Sequence, residues 1–95
     1  MVKKTAVIQN NAGIHVRPSG VIMDFVSDYD GKVTVGTENA KVELNNIMSL
    51  LSLGLVKNDT VTIQVEGPDE ENTAQALVEL FERHFDFPRK NAEEN

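Results

Sequence analysis

Thr60-Val61-Thr62-Ile63-Gln64-Val65-Glu66 is the stretch whose period decides the fold. Val61, Ile63 and Val65 alternate strictly with Thr62 and Gln64, so an extended backbone carries apolar side chains on one face and polar ones on the other. One buried and one wet face is the pattern of an antiparallel sheet covered on a single side. Gly67-Pro68-Asp69 then breaks the strand, and Asp69 is placed to cap a helix whose first turn carries Glu70 and Glu71 against its positive end. That helix runs to about Phe85 and shows Ala74, Leu77, Val78, Phe81 and Phe85 on one face, so it is expected to pack on the apolar side of the sheet.

The chain upstream supplies the remaining strands. Val2 to Gln9 reads as a first strand with Ala6 and Ile8 inward, although Val7 blurs the alternation. After the turn residues Asp28-Tyr29-Asp30-Gly31, Val33 and Val35 alternate with Lys32 and Thr34 in a second strand. Gly36-Thr37-Glu38-Asn39 reads as a hairpin connection, and Ala40, Val42 and Leu44 return with Lys41 and Glu43 outward, so these two strands should pair antiparallel. Asn45 or Asn46 can cap a short helix over Ile47 to Leu53, with Gly54 suited to the left-handed turn that ends it. That helix is apolar nearly all round, so some of Ile47, Met48 and Leu51 should lie exposed as a docking surface, unless the C-terminal helix or tail covers them. The resulting order is βαββαβα, an α+β domain with an antiparallel sheet and helices on one face.

The chemistry is expected at Gly13-Ile14-His15-Val16-Arg17-Pro18-Ser19-Gly20. Gln9-Asn10-Asn11-Ala12-Gly13 reads as a loop, after which a helix from Val16 to Ser27 packs Val21, Ile22, Phe25 and Val26 inward. His15 thus stands at or next to a helix N-terminus, where unpaired N–H groups and the macrodipole favour an anion. Pro18 suits a first turn, because no helical acceptor awaits the N–H that proline lacks. Arg17 adds donors matched to phosphate oxygens. A positive helix end and a guanidinium both disfavour an imidazolium, so His15 is expected to be neutral and nucleophilic, as phosphoryl transfer through nitrogen requires. The bland alternative is a histidine that merely caps a helix. Gly20 costs about 1 kcal/mol relative to alanine in helix propensity; it either admits a close approach or is tolerated drift.

Gly13-Ile14-His15-Val16-Arg17-Pro18 resembles the active-centre motif of the HPr family, histidine-containing phosphocarriers of the bacterial phosphoenolpyruvate-dependent sugar phosphotransferase system. Ile47-Met48-Ser49-Leu50-Leu51-Ser52-Leu53-Gly54 resembles the family's second helix and closing turn, and the similarity runs from about Lys4 to Phe85. The resemblance implies an open-faced β-sandwich with a four-stranded antiparallel sheet and three helices. It also implies a stoichiometric carrier rather than a turnover enzyme, whose His15 takes a phosphoryl group from enzyme I and gives it to A-type enzyme II proteins or domains. Arg17 and the backbone around Val16 would hold the phosphate, and Gly20, Ile47, Met48 and Leu51 would meet partners, regulatory proteins among them. Two departures stand out. Asn46 occupies the position where many relatives from Gram-positive bacteria carry a regulatory serine, and Asp24, Ser27 and Asp28 stand where the first helix often carries lysines that meet an acidic enzyme I surface.

Length and composition set the frame. Ninety-five residues make one domain, expected over residues 1–88 with a frayed polar tail at 89–95. Nine basic against fifteen acidic residues give net charge -6, which argues against nucleic acid or an anionic membrane as partner. The absence of cysteine removes disulfides and thiolates. His15 and His84 have no companions at metal-ligand spacing, and His84 reads as a helix-end cation or plain surface residue, so neither metal nor cofactor is expected. No stretch reads as a signal peptide or membrane span, which suggests a cytoplasmic monomer. The rival functions are a regulatory module switched by the phosphorylation state of His15, and a small hydrolase with His15 as general base, which lacks a second catalytic group at recognisable spacing.

Overall fold

The strand at 60–66 lies inside the sheet because both of its edges are paired. In the computed structural model, which describes residues 1–10, 13–14 and 16–83, the chain forms β1 (Val2–Val7), α1 (Val16–Ser27), β2 (Lys32–Gly36), β3 (Lys41–Glu43), α2 (Ile47–Leu51), β4 (Thr60–Glu66) and α3 (Glu70–Glu82). The sheet order is β1-β4-β2-β3 and every pairing is antiparallel. The register sets Ala6 opposite Val61, Val35 opposite Ile63 and Val33 opposite Val65. These side chains share one face and are fully or almost fully buried. The other face carries Lys3, Thr5, Thr34, Thr62 and Gln64, so the alternation in the sequence is the two-sidedness of the sheet.

The helices cover the apolar face. Helix α3 packs on β1 and β4 through Ala74, Leu77 and Phe81, each completely buried, while α1 packs against α2 and α3 through Ile22 and Val26. Lys4 lies on this same face and escapes by pairing its ammonium with Glu71 at 2.8 Å. Strand β1 is an edge, and Glu82 accepts the outward N–H of Val7 at 3.0 Å, which satisfies one donor that an exposed edge would otherwise offer to another chain.

Several expectations need correction. Phe25 is 37% exposed and Val21 only half-buried, because α1 meets the molecule along the stripe of Pro18, Ser19, Ile22 and Val26. Ala40 is exposed, since its carbonyl accepts the Thr37 N–H and closes the hairpin, which makes it part of the turn. Helix α2 stops at Leu51 because the N–H groups of Leu53 and Gly54 reach back only three residues, to Leu50 and Leu51; Gly54 then turns left-handed at φ 60°. Asp69 stands at the start of α3 but makes no side-chain cap. Its backbone is left-handed and its carboxylate instead accepts from the Asn72 amide. The adjacent Glu70 carboxylate takes the Gly67 N–H and the Met1 amino group, and those two bonds hold its pKa below the ordinary value. Helix α3 ends at Glu82, short of the expected Phe85, because Arg83 turns extended at ψ 146° and its N–H reaches back only to the Leu80 carbonyl; Phe85, His84 and the tail at 89–95 lie outside the described residues.

Helix α2 divides its apolar residues sharply: Leu50 is completely buried and Met48 is 68% exposed. Urea unfolding of Leu50→Ala should therefore show a loss of about 2–5 kcal/mol. Met48→Ala should stay within about 0.5 kcal/mol of the parent.

Candidate functional site

The loop that leads into α1 is fixed by a second loop rather than by its own residues. Ile8, completely buried, donates its N–H to the Asp59 carbonyl at 2.9 Å and accepts the Asn58 N–H at 2.8 Å. The 56–59 turn is closed in its own right, with the Asp59 N–H donating to the Val56 carbonyl at 3.0 Å and the Asp59 carboxylate accepting the Val56 N–H at 2.9 Å. Further along, Ile14 donates to the Leu55 carbonyl at 2.9 Å. The stretch from Ile8 to Ile14 is thus held at both ends by residues 55–59.

Between these anchors sits a buried polar side chain. Asn10 has no exposed surface, and its amide donates to the Gly13 carbonyl at 2.7 Å while the Gly13 N–H returns a bond to the Asn10 carbonyl at 2.9 Å. Gly13 has φ 72°, and a Cβ there would come within 2.3 Å of the Leu55 oxygen. Only glycine permits both the turn and the close approach. Reading 9–13 merely as a loop missed the role of Asn10; asparagine followed three residues later by glycine is a turn signature that could have found it.

Helix α1 opens at Val16, which makes Pro18 its third residue and leaves Arg17 exposed in its first turn. Position 15 immediately precedes this helix start; His15 itself lies outside the described residues. Pro18 and Ser19 turn inward, and the Ser19 hydroxyl is buried without a hydrogen-bond partner among the described residues. Of the expected docking residues, Gly20 sits half-buried on α1 with open space where a Cβ would point, so packing within the chain does not demand glycine there. Helix α2 packs beside α1 and offers Met48, exposed, with Ile47 and Leu51 half-exposed. Asn46 caps α2 by accepting the Ser49 N–H on its side-chain oxygen at 3.0 Å. Among the described residues no three of His, Cys, Asp or Glu gather as a metal site would require, and no helix is long and apolar enough to cross a membrane.

The arrangement is an open-faced α+β fold that presents a helix start and an exposed arginine close to position 15, and the class to which it belongs is that of small phosphocarrier proteins. Residues 2–83 match the family described as "PTS HPr component phosphorylation site", and the chain belongs to that phosphocarrier family. It is 31% identical over 86 residues to the phosphocarrier protein HPr of Treponema pallidum, covering 90% of this chain and 98% of that protein. It is equally 31% identical to the phosphocarrier protein NPr of Escherichia coli, covering 90% and 96%. The crystal structure of HPr-C-His from Thermoanaerobacter tengcongensis superposes with a TM-score of 0.79 at 34% identity, over 85% of this chain and 91% of that one. The open-faced sandwich with four antiparallel strands and three helices is therefore shared with HPr structures.

Asn10→Ala should lower stability by about 1–3 kcal/mol in urea unfolding, because it removes a buried bond that closes the loop. Asn39→Ala, in the exposed hairpin, should cost less than about 0.5 kcal/mol.

Proposed function

We propose that the chain is the phosphohistidine carrier of a phosphoenolpyruvate-dependent phosphotransferase relay, with His15 accepting a phosphoryl group from phosphorylated enzyme I and passing it to A-type enzyme II proteins or domains. One observation carries this reading: α1 starts at the residue after His15, with Arg17 exposed in its first turn and Gly13-Ile14 clamped to Leu55 behind it. A helix start and a guanidinium supply the positive field that a phosphoryl group needs. In each transfer a phosphorus–nitrogen bond to the new imidazole forms as the bond to the donor's imidazole breaks. The arginine and the backbone of Val16 and Arg17 take the phosphoryl oxygens. Gly20, Ile47, Met48 and Leu51 surround the site as the partner-docking surface, over a single domain spanning residues 1–88. The place of work is the cytoplasm.

The test is labelling with phosphoenolpyruvate and the enzyme I of the same genome. One acid-labile, base-stable phosphoryl group per chain is expected on His15, and none on a folded His15→Ala variant; undiminished labelling of that variant would refute the reading. Arg17→Ala should lose about 1.5–3 kcal/mol of transition-state stabilisation, roughly 10- to 100-fold in transfer rate.

A second reading shares every step up to the phosphohistidine and ends in regulation rather than sugar transport. It is supported by the charge that a phosphoryl group would add beside an exposed apolar surface, about −1.5 to −2, which is ample to switch affinity for another protein. Absence of sugar permeases of the system from the genome would select it.

Control by a serine kinase at position 46 is not available in either case. The Asn46 amide oxygen already satisfies the Ser49 N–H, and an amide is no phosphoryl acceptor. A family-specific serine kinase with ATP should leave the intact mass of the chain unchanged, and added phosphate mapped to Ser49 or Ser52 would show that the regulatory site had moved.

A further inference from the structure

The wet face of the sheet, turned away from the helices, is not flat. Two neighbouring rows of residues run across it, Lys3, Gln64, Thr34 and Glu43 in one and Thr5, Thr62, Gly36 and Lys41 in the other. Gly36 leaves the second row without a side chain between Thr62 and Lys41. The hairpin requires glycine there, since a Cβ would come within 2.6 Å of the Ala40 carbonyl oxygen, and the gap is its consequence. A hollow of about 200 Å³ opens at this place, lined by Thr34, Thr62 and Gln64 and flanked by Lys3 from the edge strand β1 and Lys41 from the opposite edge strand β3.

The charge of the hollow runs against that of the chain. The sequence holds fifteen acidic residues against nine basic ones, yet no carboxylate lines the hollow and two lysines do. Glu43 and Glu66 share the face but lie outside the lining. Three inter-strand steps and two residues of rise set the Cα atoms of Lys3 and Lys41 roughly 16 Å apart. Two four-carbon stems folding over that span bring their ammoniums to opposite ends of one small ligand. The hydroxyls of Thr34 and Thr62 and the amide of Gln64 then lie beneath its middle, as donors and acceptors.

We propose that this hollow binds a short-chain dicarboxylate, with one carboxylate on Lys3, the other on Lys41 and the polar floor under the chain between them. Each end offers a single compact ammonium and neither a guanidinium fork nor a helix N-terminus, which suits a carboxylate better than a phosphoryl group. The hollow is on the face opposite α1 and α2, so it can fill while the position-15 side is engaged, and the proposal does not depend on the carrier reading.

The test is titration of the isotope-labelled chain with glutarate at constant ionic strength, followed through the backbone amide resonances. Saturable shifts are expected at Thr34, Gly36, Thr62 and Gln64, with about millimolar affinity. Acetate at the same carboxylate concentration should give no saturation there, because one charge cannot span both lysines. Lys3→Ala and Lys41→Ala should each weaken binding about three- to fivefold, as loss of one exposed ion pair implies, and the double variant should not saturate. Lys32→Ala removes the same charge from the same face outside the hollow, and should bind as the wild type does. All these side chains are exposed, so the variants should keep the wild-type melting temperature. Absence of saturable shifts at those amides overturns the proposal, as does equal weakening by Lys32→Ala. Acetate or inorganic phosphate binding as tightly as glutarate overturns it too, since the hollow would then be selecting charge and not a dicarboxylate.

Discussion

The backbone clamp between the β1–α1 loop and residues 55–59 is the constraint on which the site depends. Ile8 is bonded in both directions, to Asn58 and Asp59, and Ile14 is bonded to Leu55, so the five residues between them must close a fixed gap. That gap is spanned by a tight turn in which buried Asn10 and left-handed Gly13 satisfy each other. Helix α1 begins at Val16, two residues beyond the bond from Ile14 to Leu55. A helix start is an electrostatic feature with a range of about one turn, so a shift of one or two residues would carry it away from position 15. The residues on either side of position 15 are thus held by a loop far away in sequence, which is closed by the Asp59 N–H and carboxylate on Val56.

Helix α2 is the weakest element and the most informative about partners. Five residues are too few to hold a helix in water on their own. It persists because Leu50 is sealed into the core and Asn46 caps its start, two contacts at either side of a single turn. With the helix held by Leu50 and the Asn46 cap, Ile47, Met48 and Leu51 need not all be core residues, and Met48 is left in solvent beside α1. That apolar surface is small and adaptable in its methionine, which suits the docking role proposed for it.

Polar satisfaction is distributed unevenly over the molecule. The open face of the sheet needs no cover, since Lys3, Thr5, Thr34, Thr62 and Gln64 meet water. The sheet edge at β1 is partly closed by Glu82. In contrast, the buried Ser19 hydroxyl, in the inward face of α1, has no partner among the described residues.

What the sequence determined by itself was periodicity and local chemistry. The alternation of Val61, Ile63 and Val65 gave a one-sided strand because side chains of an extended backbone point to opposite faces in turn. The spacing of Ala74, Leu77 and Phe81 gave the face of α3, and Arg17 with Pro18 marked the first turn of α1. The tertiary structure alone decided which members of a generic apolar set are inside. Phe25 and Leu50 are both apolar helix residues, yet one is 37% exposed and the other fully buried, because the direction of a helix face is fixed by what packs against it. It likewise set the order β1-β4-β2-β3, and it turned Asn10 from a loop residue into a buried strut, since hydrogen bonds between residues 8–14 and 55–59 leave no periodic trace in either segment.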